Sequence, residues 1–312
     1  MRSAVPGKTA PGKAAPGKAL PAHAAAAAPA SSLVRMLAVL DLFSEAAPAW
    51  SVEEVAAALG YTRSTAYRYV GELAEAGLLA AAQRGCYSLG PRILKLDRQL
   101  RDSDPMLAAF RRIEPGLRRF GGSRCGREQT WLLCRMFRDS VICIHQSGAL
   151  DSDISFSRGF PMPLLRGATS KAVLAFLPER QLTRLYLANQ AAVAAAGLGA
   201  DWKVFKAALR DIRRDGYVVS VSEVDRGVFG IAAPVFDPDG RLIGSISCVR
   251  PVAALDRARC AREGAVLRKT AAAISKGMLE TLERGKPGRA RAVVPGSAPK
   301  AVSRGALSRA AA

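Results

Sequence analysis

Between Thr62 and Arg68 the run Thr-Arg-Ser-Thr-Ala-Tyr-Arg places two guanidinium groups and four hydroxyls within seven residues. Arginine can pair with guanine edges or with phosphate, and Ser, Thr and Tyr hydroxyls suit phosphate oxygens. At helical spacing Ala66, Val70 and Leu73 turn inward, which leaves Arg63, Ser64, Thr65, Tyr67 and Arg68 outward. On charge alone, a solvated helix face reads equally well. Gly71 lies inside the same helix and weakens it by about 1 kcal/mol relative to Ala; close packing against an earlier helix is one reason for it.

A second group with chemical potential is Gly167-Ala-Thr-Ser-Lys171. If it opens a helix, the free backbone N–H groups and the positive end of the helix dipole suit a carboxylate. An ordinary tight turn is the alternative. Lys171 either assists that anion or stays solvated, and Glu223 either touches a ligand, pairs with Arg226 or stabilises a loop. The segment is not a phosphate-binding P-loop, because the Gly-x-x-x-x-Gly-Lys-Ser/Thr spacing is missing. His145 sits in an apolar strand pattern and reads as structural, and Cys134, Cys143 and Cys248 read as small core residues. No nucleophile, base and orienting carboxylate assemble from these motifs, so neither catalysis nor a cofactor is expected.

The elements that must position these groups follow from periodicity and capping. Leu33, Met36, Leu37, Leu40 and Phe43 recur at three- and four-residue intervals, the mark of one helix face. Ser51-Val-Glu-Glu54 is a capping box that starts a second helix, which stops at Gly60. Thr62 caps the third helix, which ends near Gly77. Residues 78–82 and 86–89 flank Gln83-Arg84-Gly85, the turn of a short hairpin. This order of helices and hairpin is that of a winged helix-turn-helix, in which the N-terminal half of the third helix enters a major groove.

Residues 92–121 read as helical, interrupted by Pro105 and Pro115. Beyond Glu128 strands are expected over 131–135, 141–146, 154–156, 217–222, 227–236 and 241–249, the last two joined by a sharp turn at Asp237-Pro-Asp-Gly240. Helices are expected over 169–177, 179–188, 202–215 and 255–283. An antiparallel sheet with peripheral helices, an α+β domain, accounts for that order.

Composition bounds the rest. Of 312 residues 49% are hydrophobic, ample for two cores, and 46 basic against 26 acidic side chains give a net charge of +20. Eleven of those charges lie in two arms without acids, the Pro-Gly-Lys repeats and Ala-rich run of 1–30 and the tail over 284–312. Both read as disordered segments able to add weak, salt-sensitive phosphate contacts or to act only as solubilising tails. Six scattered cysteines and two histidines argue against a disulfide framework or structural zinc. No apolar run is long enough to span a bilayer, which points to a cytoplasmic protein without a membrane partner.

Over residues 32–283 the sequence resembles the IclR-type bacterial transcriptional regulators. The matching runs are Ser51 to Gly60, Thr62 to Arg68, Leu73, Gly77-Leu78 and Tyr87 to Gly90, then Arg158 to Leu164, Gly167 to Ala172, and Gly216 through Glu223 to Asp237. One departure is Gly230, where the family signature has a small Cys, Ser or Ala.

The resemblance implies an α+β protein with a winged helix-turn-helix over 31–95, a helical linker over 96–121 and a GAF-like antiparallel-sheet effector-binding domain over 122–283. It implies homodimers or dimers of dimers on an operator in double-stranded DNA, contacted by Ser51, Thr62, Arg63, Ser64, Thr65, Tyr67, Arg68 and Arg84. Small organic acids would shift DNA affinity or the effect on RNA polymerase, in the control of a catabolic pathway. The pocket positions fall on Gly167, Ala168, Gly230, Ser247 and Val249. Gly230 and Val249 lack polar groups, which favours a carboxylate larger than a two-carbon keto acid, such as an aromatic acid, with Ser247 bonding a second polar group. Two other classes stay open: a nucleoid-type basic protein acting through its arms, and a small-molecule enzyme with an appended helical domain.

Overall fold

The computed structural model describes residues 31–117, 129–148, 155 and 157–284. The chain divides between Asp104 and Pro105 into two compact units. The arm over 1–30, the tail beyond Arg284, the end of the linker stretch and the strand expected at 154–156 lie outside the described residues, apart from Ser155.

In the first unit, α1 (Ser32–Leu37) runs into a 3-10 turn, Ala38–Leu42. Next come β1 (Trp50–Ser51), α2 (Val52–Leu59), α3 (Arg63–Glu75), β2 (Leu79–Ala81), β3 (Cys86–Leu89) and α4 (Pro91–Ser103). The strands form an antiparallel sheet in the order β1-β3-β2. Both expected caps are present. Ser51 accepts from the Glu54 amide while Glu54 reaches back to the Ser51 amide, and Thr62 accepts from the Thr65 amide. The core gathers Val39, Leu42, Trp50, Val55, Ala66, Tyr69, Val70, Leu73 and Leu79.

Two sequence expectations need correction here. The first helix does not bury Leu33 and Leu37, which are exposed; its tightening into a 3-10 turn rotates Val39 and Leu42 inward instead. Gly71 is exposed, and a Cβ there would meet nothing within 4 Å, so close packing does not explain it.

The second unit begins with α5 (Pro105–Leu117), which Pro115 does not interrupt. Burial of Met106, Leu107, Phe110 and Leu117 holds the helix through that position against a cost of about 3 kcal/mol for an interior proline. The sheet strands are β4 (Thr130–Phe137), β5 (Ser140–Gly148), β6 (Pro161–Pro163), β7 (Val218–Val221), β8 (Val228–Phe236) and β9 (Leu242–Pro251). All pairings are antiparallel, in the order β6-β5-β4-β9-β8-β7. Between β6 and β7 lie α6 (Ala168–Leu174), α7 (Glu179–Ala188), α8 (Gln190–Ala195) and α9 (Trp202–Asp215), and α10 (Arg257–Arg284) follows the sheet.

Helices cover both faces of this sheet. Strand alternation sends Trp131, Leu133, Phe229, Ile231, Ile246 and Cys248 into one core with α5 and α10. Leu132, Cys134, Val141, Cys143, Val228 and Val249 point the other way, into a core with residues of α6 to α9. On that second face Ala168 and Ala172 of α6 pack on Ala232, and small side chains there let the helix lie close to the strands. The fold is thus a mixed α+β protein with an N-terminal helix-turn-helix and a helix-covered antiparallel sheet.

Candidate nucleic-acid interface and ligand cleft

The N-terminal half of α3 presents Arg63, Ser64, Tyr67 and Arg68 to solvent, while Thr65 is half-buried. Ala66, Val70 and Leu73 face the core as their spacing predicts, joined by Tyr69, which the pattern did not single out. Ser51 and Thr62 serve as helix caps, and the Thr62 hydroxyl donates to Thr65 Oγ1 at 2.8 Å. Tyr67 and Arg63 converge on one acid of α2: the Tyr67 hydroxyl donates to Glu53 Oε1 at 3.0 Å, and Arg63 Nη2 stands 3.6 Å from the same oxygen. A hydrogen bond from its own backbone and the Tyr67 bond hold the Glu53 carboxyl below its ordinary value, and the same bond raises the Tyr67 phenol. Arg84 projects from the turn between β2 and β3 with a left-handed φ of 61°.

In the second unit a narrow cleft, open at its mouth, lies between the start of α6 and strands β7, β8 and β9. Gly167, Ala168, Gly230 and Val249 line it together. Ser247 is not among its lining groups, since its hydroxyl is buried 2.9 Å from Thr169 Oγ1. A Cβ at Gly230 would stand 3.5 Å from the Ala168 Cβ and 3.9 Å from Val249 Cγ2, an ordinary fit. Gly167 differs, because its φ of 81° and the Val224 side chain 3.0 Å from any Cβ both demand glycine.

Two amides at the start of α6, those of Gly167 and Ala168, are occupied. Gly167 N–H donates to Glu223 Oε2 at 2.9 Å and Ala168 N–H to Ser220 Oγ at 2.8 Å. Lys171 is buried, not solvated: its ammonium lies 2.8 Å from Glu223 Oε1 and donates to the Ala196 carbonyl at 2.9 Å. Glu223 thus pairs with Lys171, while Arg226 is exposed. The sequence missed Ser220 and Asp225, which also line the cleft. Their signal was faint, a serine in β7 and an acid in a turn.

His145 packs edge to face on Phe110 at 5.4 Å, with Nε2 3.5 Å from Glu114 Oε2. Burial pushes its imidazole below the ordinary value, against the pull of Glu114. Among the described residues no helix is long and apolar enough to cross a membrane.

Comparison with known proteins fits this geometry. Residues 32–82 match the IclR helix-turn-helix domain, and residues 127–276 match the bacterial transcriptional regulator IclR C-terminal domain. Among curated relatives, the HTH-type transcriptional regulator XynR of Escherichia coli is 25% identical over 79% of this chain and 96% of its own, and KipR of Bacillus subtilis is 23% identical over 69% and 84%. An IclR family transcriptional regulator from Brucella abortus superposes with a TM-score of 0.65 at 21% identity, over 79% of this chain and 92% of that one. An IclR homologue from Microbacterium hydrocarbonoxydans, crystallised with 4-hydroxybenzoate, gives a TM-score of 0.60 at 21% identity over 80% and 100%. With both units matched in order, the chain belongs to the IclR family and is a transcriptional regulator, not an enzyme.

Proposed function

We propose that this regulator recognises an operator through α3 and responds to a small carboxylate held in the cleft of its second unit. The single observation that carries the DNA reading is the exposed set Arg63, Ser64, Tyr67 and Arg68 on the first half of a helix capped by Thr62. That half-helix enters a major groove in this motif, Arg84 on the wing reaches phosphate, and Ser51 and Thr62 fix the two helix starts. The cleft supports the ligand reading: it is apolar at Gly230 and Val249, and Glu223, which lines it, is held from behind by the buried ammonium of Lys171. An aromatic acid is the candidate ligand, in keeping with the Microbacterium homologue crystallised with 4-hydroxybenzoate.

The regulator acts as a symmetric oligomer. α4 buries none of its residues and exposes Leu94, Leu96 and Leu100, an apolar load that a second copy covers. A two-fold dimer doubles the base contacts of one short helix and spaces half-sites about 34 to 36 Å apart, or a multiple. Selection of duplexes from a random pool by the full chain tests the reading: enrichment of a pseudo-palindromic site supports it, and failure to enrich any sequence contradicts it.

A further inference from the structure

Glu223 is joined to residues 166–171 by both carboxylate oxygens and by its carbonyl. Its two carboxylate oxygens accept separately from Lys171 Nζ and from the Gly167 amide, at 2.8 and 2.9 Å. Its carbonyl accepts from Arg166 Nε at 3.0 Å. Two residues on, the Asp225 carboxylate accepts from the amide and hydroxyl of Ser155, at 3.1 and 2.5 Å. The segment between β7 and β8, residues 222–227, lines the cleft over 222–225 and is thereby tied down beside it, with Ser222 in a left-handed conformation at φ 51°. Glycine, which lacks a Cβ, adopts that conformation readily, whereas serine holds it while the surroundings impose it.

This arrangement sets a condition on any anionic ligand. Lys171 is one ammonium, its side chain 7% exposed, and one carboxylate already neutralises it. Arg166 also lines the cleft but is engaged by the Glu223 carbonyl, so a second carboxylate added beside the half-buried Glu223 and Asp225 would crowd like charges together. Exchanging one carboxylate for another leaves both the charge and the two hydrogen bonds unchanged. We propose that Glu223 is the resident counter-ion of the cleft, and that a ligand carboxylate takes its place on Lys171 and Gly167, releasing segment 222–227 as a latch. The inference rests on the carboxylate reading of the cleft and adds how the bound state is reported: a ligand is converted into the freeing of a loop that continues directly into β8.

The test uses the matched pair 4-hydroxybenzoate and 4-hydroxybenzamide on the full chain. Hydrogen exchange of wild type should accelerate at residues 222–227 when the acid binds, whereas ligand burial alone slows exchange. Glu223→Gln removes the competing charge and should bind the acid about tenfold or more tightly, with amide binding unchanged. A Glu223→Asp variant keeps the charge and guards against misfolding of the first; it should stay near wild type in acid affinity. Protection of 222–227 by the acid, or equal acid affinity in wild type and folded Glu223→Gln, overturns the exchange while leaving the ligand reading standing. Failure of the acid to bind any of the three proteins overturns both.

Discussion

The Tyr67 hydroxyl of α3 donates to Glu53 Oε1 of α2 at 3.0 Å, so the two helices of the DNA-reading motif are pinned together on their exposed side. Arg63 shares that acid. Glu53 is solvent-exposed, so Glu53→Ala should leave the unfolding midpoint unchanged, because exposed pairs contribute little. It should raise affinity for any duplex, by removing a negative charge, and reduce the preference for the selected site, by freeing Tyr67 and Arg63. Fluorescence anisotropy at one salt concentration checks both; unchanged preference would separate Glu53 from site reading.

Gly71 is exposed with open space around it, so Gly71→Ala should stabilise the first unit by up to about 1 kcal/mol. Urea unfolding measures this. A destabilised variant would show that the glycine meets a demand that its open surroundings hide.

Gly230 accommodates a side chain, so Gly230→Ser should fold with a stability change within about 0.5 kcal/mol. The added hydroxyl narrows the cleft and should weaken 4-hydroxybenzoate relative to pyruvate by about tenfold, or ~1.4 kcal/mol, in calorimetry. An unaltered ratio would place the aromatic ring elsewhere.

Burial beside Phe110 lowers the His145 imidazole below its ordinary 6.5, so the folded chain binds that proton less well than the unfolded chain. The stability contributed by neutral His145 is complete above pH 6.5 and is lost as acidification proceeds below it towards the depressed folded value. Unfolding midpoints followed downward from pH 7 should fall more steeply for wild type than for His145→Gln. Equal slopes would assign the acid sensitivity to other groups.

If a second copy packs on α4 as proposed, Leu94→Glu combined with Leu100→Glu should give monomers in sedimentation where wild type is oligomeric, while far-ultraviolet circular dichroism stays unchanged, since neither leucine is buried within its own chain. An oligomer that survives both charges would direct attention to another surface.

Much of this was legible in the sequence where local chemistry decides structure. The capping box at Ser51, the cap at Thr62, and the helices 179–188 and 202–215 depend on short-range capping and 3.6-residue periodicity, and they occur where expected. β1, β6 and α8 span two, three and six residues, too few to show a period, and β6 carries two prolines tolerated at a sheet edge. The sequence left Lys171 open between an anion partner and a solvated charge because every residue of the seven-residue α6 is buried, and a helix without an exposed face gives no sign of which charge is solvated. Its partner Glu223 lies 52 positions away, a separation that no local pattern spans.

The central claim is that α3 reads DNA sequence. With a selected operator in hand, affinities of wild type, Arg63→Ala and Arg68→Ala for that site and for scrambled duplex, at one salt concentration, test it most directly. Each substitution should cost about 1 to 3 kcal/mol on the operator, and at least one should relax preference at a single base position. Operator affinity unchanged in both variants would remove α3 from the interface.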